Sequence, residues 1–177
     1  MNKEYVILVD EKDREIGQME KQQAHLEGLC HRAFSVFIFR RKGERIELLL
    51  QRRQFDKYHC AGLWTNTCCS HPRQGETVLE AAHRRLQEEM GFDVFLQETG
   101  LFHYVAKFDN GLIENEVDHV LVGCYHDEII HLNEEEVATC RWVALDELEK
   151  ELVNFPKDFT PWFKKGLVLT DLSVCAF

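Results

Sequence analysis

The chain is poor in proline, with three in 177 residues: Pro72, Pro156 and Pro161. No proline-rich or Gly/Ser-rich linker divides it and no segment repeats, so a single domain over 1–177 is expected. Long apolar runs are missing too. The longest apolar-rich stretch, 33–39, is far short of the roughly 20 residues that span a bilayer. The opening Met1-Asn2-Lys3-Glu4-Tyr5-Val6 has no apolar signal core and no small-residue cleavage site, so neither export nor membrane insertion is expected. Basic residues are in the minority, 21 Lys and Arg against 31 Asp and Glu, for a net charge of −10. That deficit excludes general binding to nucleic acid or to an anionic membrane, because both need a basic footprint. It leaves room for one small anion in a local basic pocket. Finally, the seven cysteines, Cys30, Cys60, Cys68, Cys69, Cys124, Cys140 and Cys175, lack paired C-x-x-C spacing. A zinc site of four thiolates is therefore unsupported, and reduced thiols in a cytoplasm are expected.

What is present is an ordinary globular balance, 45% hydrophobic and 29% charged, in a chain long enough to fold without disulfide staples. Strand patterns occur at 5–9 and 15–19, and a hairpin is expected from 33–40 and 46–51 across Arg41-Lys42-Gly43-Glu44. The segment 77–90 is the clearest helix: Thr77 and Glu80 make a capping box, and Gly91 stands where a C-terminal αL glycine belongs. Further strands are expected at 101–108, 116–125 and 140–143. A short helix is expected at 146–152 with Asp146 as its cap, and a last one opening at Thr160-Pro161-Trp162. Strands outnumber helices without strict alternation. This predicts an α/β fold of the α+β sandwich kind, a mixed sheet flanked by helices.

Four groups could carry chemistry. On the capped helix, Arg85 and Glu89 fall beside Val78, Ala82 and Leu86 on the buried arc, where a carboxylate needs a cation, a donor or a metal. An i,i+4 ion pair on the helix border would serve equally. In Trp64-Thr65-Asn66-Thr67-Cys68-Cys69-Ser70-His71-Pro72, an adjacent cysteine pair is rarely a disulfide, and a thiol near a helix N-terminus or a metal has a lowered pKa. A reactive role for one thiol is preferred over two inert ones. In Glu114-Asn115-Glu116, an extended backbone places both carboxylates on one face, although a solvated acidic turn would suit the same residues. His25, His31 and His71 with two Glu could fill an octahedral site for Mn²⁺ or Mg²⁺, and Zn²⁺ also favours imidazole.

The segment from Ser70 to Phe92 resembles the loop–helix box of the Nudix superfamily, with Glu76, Arg84, Arg85, Leu86, Glu88, Glu89, Gly91 and Phe92 in register. Two positions depart: Ser70 replaces a Gly, and Arg85 replaces a Glu. A charge reversal among metal-binding carboxylates argues against a Nudix hydrolase. Taken with His25, His31, Trp64-Thr65-Asn66-x-x-Cys69-x-His71-Pro72, Tyr104 and Glu114-Asn115-Glu116, the chain is similar, over about 21–162, to the metal-dependent isopentenyl-diphosphate isomerases of the Nudix fold.

The resemblance implies interconversion of isopentenyl and dimethylallyl diphosphate through a tertiary carbocation. It implies Cys69 and Glu116 as acid and base, Tyr104 as a hydrogen-bond partner of Glu116, and Trp162 as the aromatic wall beside the cation. It also implies Lys21, Arg53, Lys57 and Arg85 as diphosphate ligands. A first ion, Mn²⁺ or Zn²⁺, would take His25, His31, His71, Glu114 and Glu116; Mg²⁺ would bridge Glu89 and the diphosphate. No protein partner or oligomer is required. The rival readings are a Nudix hydrolase and a non-catalytic ligand-binding module.

Overall fold

A computed structural model describes residues 3–177; Met1 and Asn2, the start of the segment expected to lack a signal core, lie outside the described residues. Strands β1 (Tyr5–Val9) and β2 (Glu15–Glu20) form a hairpin, and helix α1 (Lys21–Glu27) comes next. After it run β3 (His31–Lys42), β4 (Arg45–Arg53), the short β5 (Trp64–Thr65) and β6 (Cys68–Ser70), and helix α2 (Val78–Met90). Strands β7 (Leu96–Lys107), β8 (Ile113–Cys124) and β9 (Val137–Ala144) lead to α3 (Leu145–Asn154) and α4 (Phe163–Leu167). Among the described residues, nine strands form one mixed sheet, and of the pairings between these strands only β3–β8 is parallel.

The long central strand β3 organises the sheet. Along one edge it pairs with β8, from His31 opposite Glu116 to Phe39 opposite Cys124. Along the other it pairs with β4 only at Phe39–Lys42, after which the two strands part. The gap is filled by the polar segment that the cysteine pair belongs to: β6 pairs with β3, and β5 with β4. Alternation along these strands divides the core. Phe34, Val36, Ile38, Leu49 and Leu121 face α2, while Phe37, Phe39, Leu48, Leu50, Val120 and Val122 face α3, α4 and the C-terminal segment.

Helix α2 begins at the expected capping box: Glu80 N–H donates to the Thr77 hydroxyl at 3.2 Å, and Thr77 N–H to Glu80 Oε2 at 2.8 Å. It ends at Gly91, φ 75°, where an added Cβ would lie 2.4 Å from the His131 carbonyl oxygen. Gly91→Ala is therefore expected to lose on the order of 1–3 kcal/mol from backbone strain, with the clash in addition. A thermal melt that moves by less than a degree would contradict this.

Several expectations need correction. The strand expected from 116 starts already at Ile113, so Glu114 and Glu116 both lie inside β8, and the alternative of a solvated turn is set aside. Helix α1 has no counterpart among the expected elements; Glu20 caps it by accepting from Gln22 and Gln23 N–H at 3.1 Å each. Asp146 is no cap. It lies in the first turn of α3, whose cap residue Ala144 makes no side-chain cap bond, and Asp146 instead accepts from Arg45 at 2.9 Å. Helix α4 starts at Phe163, with Pro161 and Trp162 in the turn before it. Not every thiol is free: Cys124 at the end of β8 and Cys175 in the C-terminal segment form a disulfide, because that segment packs across the sheet on the α3–α4 side. The other five cysteines are free thiols. Among the described residues no helix is long and apolar enough to cross a membrane.

Candidate active site

Where β3 and β4 part, a cavity of about 300 Å³ opens, and residues from both layers reach it: Arg85 and Glu89 from α2, Trp162 from the turn before α4. Sheet register sets its floor. Glu116 on β8 is flanked by His31 on β3 and Tyr104 on β7, so three strands place an imidazole, a carboxylate and a phenol in one row. Glu114, two residues earlier on the same face, joins through Tyr104, whose hydroxyl lies 2.7 Å from Oε2 of both carboxylates. One hydroxyl proton can serve only one of them, so a second proton or a cation must hold the pair together. Burial, reinforced by the Glu116 charge, pushes the Glu114 carboxyl well above its usual range. Burial alone would do the same to Glu116, but hydrogen bonds from His31 and His71 outweigh it and hold Glu116 well below that range. Tyr104 stays a phenol, its pKa raised by burial and by Glu116.

Three histidines converge on Glu116. Gly28, at φ 66°, ends α1 and turns the chain so that His25 in its last turn meets His31 at the start of β3, ring centroids 4.9 Å apart. His71 Nε2 and His31 Nε2 lie 2.9 and 3.1 Å from Glu116 Oε1. His25 Nδ1 and His31 Nδ1 face backbone carbonyls, of Lys21 at 2.6 Å and Leu29 at 2.8 Å. A carbonyl only accepts, so both rings carry a proton on Nδ1, and His25 turns its Nε2 lone pair inward while His31 Nε2 faces Glu116. This is the arrangement in which imidazole binds metal, with the far nitrogen donating to the backbone. The His25 Nε2 lone pair is buried without a partner. The donor atoms of His25, His31, His71 and Glu116 all lie within 4.8 Å of one another. These residues fit a divalent cation. Burial, partly opposed by Glu116, pushes the His71 imidazole down to about 4, leaving it neutral.

Glu114 is brought next to this set but falls in a second one, with His25 and His59. His59 is the site residue that sequence reasoning missed. It is buried, stacks on Phe108 with centroids 4.9 Å apart, and sets Nε2 3.1 Å from Glu114 Oε1. It sits in an irregular stretch after β4, where no periodicity or motif singles it out.

Cys69 lines the cavity from β6, opposite Ser35 on β3. Its neighbour Cys68 is fully buried and packs on the α2 side, as strand alternation requires. The helix-terminus argument for a lowered thiol pKa does not hold: Cys69 is on a strand ahead of α2, and burial, opposed by Arg53, pushes the thiol up. Cys69 is a protonated thiol at neutral pH.

The four expected diphosphate ligands all line the same cavity, as do Trp162 and Glu89. Three of the cations carry carboxylate partners: Lys21 pairs with Glu4 at 2.8 Å, Lys57 with Glu136, and Arg85 with Glu89. Arg53 is different. It places its guanidinium 5.6 Å from the Trp162 ring and leaves Nε without a partner. Glu89 also accepts from Gln51 Nε2 at 2.8 Å, so the helix-face pair Arg85–Glu89 is both the border ion pair and part of the cavity wall. Trp162 is held by its indole N–H, which donates to Asn66 Oδ1 at 3.2 Å, and it borders Tyr104 and His59.

Comparison with known proteins agrees with this architecture. The NUDIX domain profile matches residues 30–163. A Photorhabdus laumondii protein described as isopentenyl-diphosphate Delta-isomerase 2 is 50% identical over 172 residues, covering 96% of this chain and 95% of that protein. A Photobacterium profundum isopentenyl-diphosphate Delta-isomerase is 48% identical over 174 residues, covering 96% and 97%. Among solved structures, DR0079 from Deinococcus radiodurans superposes with a TM-score of 0.65 at 20% identity, covering 86% of this chain and 90% of that one. The MutT protein from Methanosarcina mazei Go1 gives 0.56 at 23% identity, covering 70% and 81%. The two solved structures share the fold, the profile identifies it as a NUDIX domain, and the curated relatives place the chain within it: it belongs to the isopentenyl-diphosphate Delta-isomerase family.

Proposed function

We propose that the protein interconverts isopentenyl diphosphate and dimethylallyl diphosphate by protonation and deprotonation of carbon. The observation that carries this reading is the opposition of Cys69 and Glu116, which reach one cavity from β6 and β8, the strands on opposite edges of β3. Moving a double bond by one carbon needs an acid and a base on different sides of the substrate. Cys69, a thiol, supplies a proton to the terminal methylene, which gives the tertiary cation. Glu116, held anionic, removes a proton from the methylene nearer the diphosphate. The reverse reaction exchanges these roles.

Trp162 offers its ring face to the cation, an interaction worth about 2 kcal/mol or more when desolvated. Water must be kept from the cation, because it would trap it as an alcohol. Lys21, Arg53, Lys57 and Arg85 bind the diphosphate, Arg through paired donors and Lys as a point charge. For three of them the substrate displaces or rearranges a carboxylate partner. Before substrate arrives, these partners spare the cavity from holding several unpaired cations. The first ion, Mn²⁺ or Zn²⁺, belongs at His25, His31, His71 and Glu116 with Glu114 alongside, and Mg²⁺ at Glu89 with the diphosphate. When bound, they fix Glu116 and neutralise phosphate charge. A cytoplasmic location suits a catalytic thiol that must stay reduced. Arg85, at a position where a Nudix hydrolase uses Glu, is paired with Glu89 and disfavours hydrolysis.

The test is turnover in deuterated water. Metal-replete protein with Mg²⁺ and isopentenyl diphosphate is expected to yield deuterated dimethylallyl diphosphate by NMR. Release of phosphate, or no exchange, would refute the reading.

A further inference from the structure

We propose that His59, with His25 and Glu114, forms a second divalent-cation position that shares His25 with the His25–His31–His71–Glu116 position. Three observations converge on it. The donor atoms of His25, His59 and Glu114 lie within 4.8 Å of one another, and all three side chains are buried. His25 is 0% exposed, and its Nε2 lone pair has no partner. The His59 ring nitrogens make no hydrogen bond among the described residues: Nδ1 is a buried orphan, and Nε2 stands in bare contact with Glu114 Oε1 at 3.1 Å. Two buried imidazoles and a carboxylate with this little mutual bonding are costly unless a cation joins them.

The donor set decides which ion it takes. Two imidazoles and one carboxylate make a three-ligand set common for Zn²⁺ with an open fourth position. The shared ligand makes the two positions compete. His25 Nδ1 is committed to the Lys21 carbonyl, so Nε2 is its one free ligand atom and cannot serve two ions. The two positions exclude each other. An ion at His59 also takes Glu114, which stands alongside the first position and accepts from the Tyr104 hydroxyl that also reaches Glu116.

The test uses metal binding without substrate, so its outcome is independent of the isomerase reading. Zn²⁺ affinity is measured by competition with a chromophoric chelator in the full chain carrying His31→Ala and His71→Ala, which cripples the first position. This variant is expected to bind one Zn²⁺, and adding His59→Ala is expected to weaken binding at least tenfold. Anomalous diffraction at the zinc edge, from crystals of the double variant soaked in Zn²⁺, should place the ion about 2.0–2.1 Å from His59 Nε2. Melting curves of the metal-free proteins separate misfolding from ligand loss. If the double variant does not fold, the same zinc-edge measurement on crystals of His71→Ala alone, which weakens the first position, decides. Unchanged affinity on adding His59→Ala, or no zinc within ligand distance of His59, would overturn the proposal.

Discussion

Cys69→Ala is expected to lower turnover by about 10²–10⁴-fold, the range for loss of a positioned acid or base. The thiol lies on the cavity side of β6 and belongs to neither donor cluster, so metal content should be unchanged. Cys69→Ser should recover little, because a hydroxyl is a far weaker acid than a thiol. The adjacent residue is the internal control. Cys68 points to the opposite face of the same strand, into the core with Phe34, Val36 and Leu86. Cys68→Ala should therefore act mainly on stability, by opening a small void, and leave turnover within a few-fold. Deuterium incorporation by NMR, metal analysis and a thermal melt on both variants give the readout. Half or more of wild-type turnover in Cys69→Ala would end its assignment as acid and base. Burial pushes the thiol up, so the protonated form persists across the neutral range. Wild-type turnover should show no loss attributable to Cys69 ionisation as pH rises from 7 to 8.

The elements that sequence made legible are those whose signals are local. The T-x-x-E box and Gly91 bound α2 because caps act within one turn. The i,i+2 spacing of Glu114 and Glu116 is read correctly for the same reason, since alternation is a property of one strand. The features that stay hidden depend on pairing between distant segments. Helix α1 spans only Lys21–Glu27 and relies on Glu20 and on packing, so its pattern is too short to read. His59 has meaning only once β8 has brought Glu114 to it. The disulfide likewise joins positions separated by 51 residues, through a C-terminal segment with no motif of its own. The ion pairs of Lys21 and Lys57 obey the same rule: family resemblance points to the cations but not to Glu4 and Glu136 as their resting partners, whereas the i,i+4 pair Arg85–Glu89 is local and legible.

Glu116→Gln is the second large effect expected, and it tests two roles at one residue. The change is nearly isosteric but removes the charge that His31 and His71 face at 3.1 and 2.9 Å. As a donor to the metal position, Glu116 should matter at least as much as an outer-shell partner, whose loss costs about 10–100-fold in affinity. As the base, its loss should cost about 10²–10⁴-fold in turnover. Titrating the variant with Mn²⁺ or Zn²⁺ while measuring both binding and turnover separates the two. If turnover returns when the site is refilled, Glu116 acts only as a ligand. If turnover stays lost at full occupancy, the carboxylate itself handles the proton, as the opposition to Cys69 demands. Acid stability gives a further check on the electrostatics. Glu116 is held well below its usual range in the fold. Its contribution is therefore present above the unfolded carboxyl value of about 4.3 and is lost as pH falls through the folded value. In Glu116→Gln that part of the acid dependence must disappear. An unchanged slope of stability below about pH 4 would mean that His31 and His71 do not hold the charge in the way their geometry indicates.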